Sequence, residues 1–242
     1  MRKLRLLAVA LIAMFAIVAV AVAQTTQYSA TGSVSAKGGT KKKPKVGSLK
    51  FGFTVSDPTG VQPSPLQTYQ ILFEGGRLNT DVVKSCPAAK INAANGDDSV
   101  CPSGSKIGTG SLDSLIGTTG QPSDTHCKAT LTLYGAGKGR ATLMVRSTLA
   151  TCVTELHQAI DMKYITKGGY SGLQFTVPDE LRHQLGLDIT VIKADTTLNK
   201  ITKKGKGLVE STGCKTKTRH LEVTFTDEAG AQHPVTSEIG KC

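Results

Sequence analysis

Beyond about residue 27, apolar and polar positions alternate with a period of two, the pattern of strands that bury one face. Tyr28, Ala30, Val34 and Ala36 alternate with Ser29, Thr31, Ser33 and Ser35. After a lysine-rich loop, Leu49, Phe51, Phe53 and Val55 alternate with Lys50, Gly52, Thr54 and Ser56, which predicts a hairpin with one buried face. Tyr69, Ile71 and Phe73 repeat the pattern past a turn at Pro63 to Pro65. Cys127, Ala129, Leu131 and Leu133 oppose Lys128, Thr130, Thr132 and Tyr134, and the turn from Gly135 to Gly139 leads into a return strand through Leu143 and Val145.

Further strands are predicted up to Tyr164 and Ile165, through Leu173, Phe175 and Val177, and through Leu187, Ile189 and Val191. Pro178 stops the second of these, and a short helical turn capped by Asp179 is expected to follow. Leu221, Val223 and Phe225 begin a last hairpin that turns at Asp227 to Gly230. The single helix starts after Cys86 and Pro87 and ends at Asn95 and Gly96. About ten strands and one short helix predict an all-β fold, an antiparallel β-sandwich with the helix inside the first cysteine loop. It spans 24–242, as one domain or two packed lobes with a sub-boundary at 116–124, where Gly, Thr, Pro and Ser concentrate.

The first 23 residues have a different pattern. Arg2, Lys3 and Arg5 precede an unbroken apolar run from Leu6 to Val22, and Ala21-Val22-Ala23 precedes Gln24, with small residues at the two positions a signal peptidase holds. A signal peptide cleaved between Ala23 and Gln24 is predicted. The run is also near the lower limit for a membrane span, so an uncleaved anchor is the competing reading. Cleavage places the protein outside the cell with no transmembrane segment left. Six cysteines then read as a disulfide set, best paired in sequence order as Cys86 with Cys101, Cys127 with Cys152, and Cys214 with Cys242. A zinc site has no support, since there is no Cys-x-x-Cys and no histidine at ligand spacing.

The net charge of +11 falls to about 11 − 3 = +8 without the three basic residues of the signal. The charge gathers at Lys37 to Lys50 (Lys41, Lys42, Lys43 and Lys45 among them), at Lys200, Lys203, Lys204 and Lys206, and at Lys215, Lys217 and Arg219. Solvated hairpin tips and lysine-protected strand edges account for such clusters. Attraction to an anionic cell-wall polymer, to anionic lipid headgroups or to extracellular nucleic acid is the functional alternative, the wall polymer being the leading partner and no specific nucleic acid being expected.

No catalytic pattern or cofactor motif is present. The glycine runs at Gly104 to Gly110 and Gly135 to Gly139 lack phosphate-loop spacing and read as turns, and no serine has glycines two residues away on both sides. Asn95, Asp97, Asp98 and Ser99 offer oxygens to a calcium ion but equally describe an Asx-rich turn. With no Trp in the chain, Tyr134 is the one candidate for a sugar-stacking platform.

Three segments together carry a resemblance: Lys41-Lys-Lys-Pro-Lys45 before the Leu49-x-Phe-x-Phe53 strand, the Cys86-Pro87 to Cys101-Pro-Ser-Gly-Ser-Lys-Ile-Gly-Thr-Gly110 block, and the Cys214 to Cys242 terminal hairpin. Residues 40 to 242 resemble a group of uncharacterised exported proteins of high-GC Gram-positive bacteria. The resemblance implies a secreted bacterial origin and no particular activity. The leading expectation is a non-enzymatic structural or binding module. A wall hydrolase would instead need convergent carboxylates or a serine against a histidine, and a lipid or small-ligand carrier would show an apolar pocket between its sheets.

Overall fold

The computed structural model describes residues 26–242. The predicted signal segment and its cleavage point at Ala23 and Gln24 lie outside the described residues. The first strands are β1 (Gln27–Val34), β2 (Lys45–Gly47), β3 (Leu49–Ser56), β4 (Leu66–Glu74) and β5 (Gly76–Leu78), followed by helix α1 (Ala88–Ala93). Then come β6 (Lys106–Gly117), β7 (His126–Gly135), β8 (Arg140–Arg146), β9 (His157–Lys167), β10 (Tyr170–Thr176), β11 (His183–Gln184) and β12 (Leu187–Leu198). The chain closes with β13 (Thr202–Lys203), β14 (Lys206–Gly207), β15 (Val209–Ser211), β16 (Thr218–Asp227) and β17 (Gln232–Lys241).

The all-β expectation holds, with the helix inside the first disulfide loop. The two faces of the expected sandwich belong to one antiparallel sheet, ordered β1-β3-β12-β6-β7-β8-β9-β10-β4-β16-β17 with β11 added to β12. This sheet curls until its two edges meet. At the seam the Ser237 hydroxyl donates to the Ala30 carbonyl at 2.7 Å, and Tyr28 stacks on His233 with centroids 4.5 Å apart. The result is a nearly closed barrel whose inward positions are those of the period-two pattern. Phe51, Phe53, Tyr69, Phe73 and Phe225 meet there edge-to-face or tilted, and Phe225 and Leu221 are fully buried. Segment 116–124 closes β6 and opens the hairpin connection to β7, which pair along their length.

β6 is a 12-residue strand where the sequence reads as turn glycines. Only Gly104 is in the left-handed region, at φ 87°. Gly108 and Gly110 lie within the strand, where a Cβ would fall 2.3 Å from the Thr197 carbonyl oxygen and 2.2 Å from that of Asp195. They are glycines because β12 runs too close for a side chain.

The antiparallel order sends connections 35–48, 75–105, 136–139, 168–169 and 199–217 to one end of the barrel, and 57–65, 118–125, 147–156, 177–186 and 228–231 to the other. The first end is closed by a small sheet, β2-β15-β5, assembled from three of its connections. Leu208 and Val209 of this cap are buried in the barrel core. Arg219, 1% exposed, clamps the cap by donating to the Glu74 carbonyl and to Ser211 Oγ at 2.7 Å. The second end is crossed by 57–65 and 177–186. Gln62 donates to the Asp188 carbonyl at 3.0 Å, and Arg182 and His183 both engage Glu228. Asp179 pairs with Arg182 at 3.0 Å rather than capping the turn it opens.

Helix α1 packs outside the barrel on β8 and β9, where Ile91, Met144 and Ala159 form a second apolar cluster with Tyr134 and Cys86. Tyr134 is therefore not a platform. It is 7% exposed and donates to Asp98 at 2.6 Å. Asp97 accepts from Ser99 and Asp98 pairs with Arg146, so the Asx-rich turn is held by its own protein partners.

Candidate functional site

The six cysteines form the three sequential disulfides, Cys86–Cys101, Cys127–Cys152 and Cys214–Cys242. Such a set fits an oxidising compartment. Among the described residues no helix is long and apolar enough to cross a membrane. Two of the disulfides tie connections of the first end, and it is there that the lysine clusters meet.

β2 pairs with β15, so Lys45 faces Ser211 across the ladder. The β13–β14 hairpin packs against β2, with Gly207 so close to Val46 that a Cβ there would lie 2.3 Å from its side chain. Lys203 and Lys206 are direct cross-strand partners, and Lys204 and Gly205 form the tip at φ 50° and 75°. Like charges directly opposite each other are unfavourable, and so is a non-glycine residue in the left-handed region. This hairpin keeps three lysines in four positions against both costs.

The loop with Lys41 and Lys42 is pinched by reciprocal bonds between Thr40 and Lys43, both 3.0 Å. Gly38 N–H donates to the Cys242 carbonyl at 2.5 Å, and Cys242 N–H donates to the Lys217 carbonyl at 2.9 Å. Clusters more than 150 residues apart in the chain thus share one end of the barrel. Lys37, Lys41, Lys42, Lys43, Lys45, Lys203, Lys204, Lys206, Lys215 and Lys217 are all exposed there.

Connections 35–48 and 199–217 hold eleven lysines and one carboxylate, Glu210. Glu210 is 2% exposed and engages Arg77 Nε at 2.7 Å and the Gly207 N–H at 2.8 Å. Burial pushes its carboxyl up, but the Gly207 amide, Arg77 and Asn79 outweigh it and hold the group below its ordinary value. Glu74, beneath the cap, is likewise held low against burial by His220 and the Lys215 amide. Within connections 35–48 and 199–217 the one carboxylate is buried and paired, so their lysines have no acidic partner on the surface of the same loops.

The barrel interior is a second feature. A cavity of about 120 Å³ runs between the β3-β12-β6-β7 wall and the β8-β9-β10-β4 wall, lined almost wholly by aliphatic and aromatic side chains. Leu112, Leu173, Phe175 and Val191 line it and are only half-buried although they face inward. The sequence pattern marked Leu173, Phe175 and Val191 as inward-facing but gave no sign that they surround a space.

Outside the barrel, a cleft of about 580 Å³ lies between β9, β10 and α1. It arises because β9 and β10 pair only from Gln174 with Lys163 toward the hairpin and then diverge. Ile160 and Phe175 line both the cleft and the inner cavity. Asn92 of α1 takes the place of the departed strand, donating to the Ala159 carbonyl and accepting from its N–H, both at 2.9 Å.

Each of His126, His183, His220 and His233 is bonded to a carboxylate, of Asp113, of Asp188 and Glu228, of Glu74 and of Asp227 respectively. No protein-family model, no curated protein and no solved structure matches the chain.

Proposed function

We propose that this protein is an exported, non-enzymatic binding module whose lysine-bearing end docks on an anionic polymer of the bacterial envelope. The observation that carries the reading is the convergence of separate lysine clusters on one end, in two connections whose one carboxylate, Glu210, is buried and paired. Rigidity supports it as well. The Cys214–Cys242 disulfide, a three-stranded cap and the Arg219 clamp hold the lysine loops, so little conformational freedom is lost when a polyanion binds. The wall setting follows the signal segment and the resemblance to exported proteins of Gram-positive bacteria.

The test is sedimentation of the oxidised mature chain with purified cell walls and with inorganic polyphosphate across a salt series. Retention is expected at low salt and loss toward 1 M, where the screening length shrinks to about 3 Å. Reversing Lys203, Lys204 and Lys206 to Glu should weaken retention at least tenfold, roughly 1.4 kcal/mol, while the melting temperature holds. Salt-insensitive failure of the wild-type chain to bind either material would remove the proposal.

A further inference from the structure

We infer that the barrel is also a binding site for a single-chain carboxylic amphiphile, with its tail in the inner cavity and its head in the cleft between β9 and β10. This site is separate from the lysine-bearing end and does not rest on the function proposed for it.

The chemistry changes along the path. The inner cavity offers aliphatic and aromatic walls, interrupted only by small polar groups such as Ser114 and Thr196. The outer cleft is lined instead by Gln158, Asp161, Lys163, Gln174 and Thr176 beside Asn92. Ile160 and Phe175 stand where the two meet, so an elongated ligand passing between them has one apolar and one polar half.

Volume selects the shape of the tail. At about 120 Å³ the cavity is well short of the roughly 300–1,000 Å³ of pockets that take compact drug-sized ligands. It is near the roughly 150 Å³ of apolar cavities that admit benzene. One short unbranched chain, with about six carbons inside, fits that limit, and a longer tail, a fused-ring or a two-chain lipid does not. Charge selects the head. Lys163 is exposed at the cleft with no carboxylate partner among the described residues, whereas neighbouring Asp161 is already paired with Arg140.

The portal is built into the fold. β9 and β10 pair at one end of their hairpin only, and the backbone of Ala159, opposite Met144 of β8 but with no strand on its β10 side, is satisfied by the Asn92 side chain instead. The sheet can therefore stay open at this point with those buried polar groups paired.

The experiment is calorimetric titration of the full oxidised chain with octanoate, and separately with octanol, both below their aggregation limits. One saturable site per chain is expected for each. Lys163→Glu should weaken octanoate about tenfold and leave octanol within twofold. Ala194→Phe, which fills the cavity from β12, should abolish both, and Ser114→Leu replaces it if that variant does not reach the wild-type melting temperature. Reversing Lys203, Lys204 and Lys206 should leave both ligands bound. Absence of saturable binding to the wild type overturns the inference, as does binding that survives in a folded cavity-filled variant. Wall and polyphosphate retention of that same variant should be unchanged, which separates failure of this site from failure of the lysine-bearing end.

Discussion

The two ends of the barrel are built from the same kind of connection yet differ in almost every physical respect. At the first, three connections pair into a cap, Arg219 is buried beneath it, and the five connections carry fourteen lysines and Arg77 against Asp81, Asp97, Asp98 and Glu210. At the second, single loops cross without forming a sheet, and the five connections carry Asp57, Asp124, Glu155, Asp179, Glu180 and Glu228 against one arginine. All four of the exposed large apolar side chains, Leu149, Val153, Leu185 and Leu187, are in or beside its loops. Charge sign and apolar exposure therefore divide along the barrel axis, although a linear reading of the chain shows only scattered clusters.

Removing disulfides one at a time is the strongest way to break this comparison. Cys214–Cys242 and Cys127–Cys152 close loops of similar length, with separations of 28 and 25 residues, and each should cost about 3.5 kcal/mol in the chain-entropy account. Urea unfolding of the two double-serine variants should show similar losses. Polyphosphate retention should fall only when Cys214–Cys242 is lost, because that bridge holds the lysine loops together. Equal retention by both variants would mean the cap does not organise the lysines.

Acid should act on both ends together. Under the cap Glu74 and Glu210 are held low, and at the second end Asp188 is held low by the Thr119 hydroxyl and amide and by His183, against the upward push of burial. In each case the folded state binds fewer protons than the unfolded one, so stability rises with pH across the window. It is complete above the ordinary values of 4.5 and 3.8 and is lost as pH falls through the lowered folded ones. A melting temperature that is flat from roughly pH 5 to 7 and falls steadily below about pH 4 is expected. Replacing Asp188 with Asn should flatten part of that fall.

The smallest effect concerns a loop tip. Leu185 is 88% exposed at φ 54° beside Gly186 at 76°, the two-residue turn between β11 and β12. Asn tolerates that conformation and Leu does not, so Leu185→Asn should gain about 1 kcal/mol in urea unfolding. A loss instead would show that the exposed leucine makes a contact that matters to folding.

The sequence makes local structure legible and leaves closure obscure. Alternation identified β3, β7 and β16 because each has one wet and one buried face, and it found β4 and β8 from their inward residues although both faces of these strands are largely covered. β6 escaped because Gly108 and Gly110 interrupt that alternation for the sake of a close approach to β12, which nothing local signals. β2, β5 and β15 are three residues each, too short for a periodic pattern, yet they build the cap. The lysines were visible one by one, but their meeting depends on β2 pairing with β15 across more than 160 residues. The inward residues were legible as a core, and the space between them depends on how far apart the walls stand.

Opposite charge at the two ends gives the molecule a large electric dipole along the barrel axis. Near an anionic surface that dipole experiences a torque, so the protein would turn its lysines toward the surface before touching it, and fewer encounters would be wasted on wrong orientations. The β9–β10 opening would then lie on the flank of an upright molecule, clear of the surface to which the base is held.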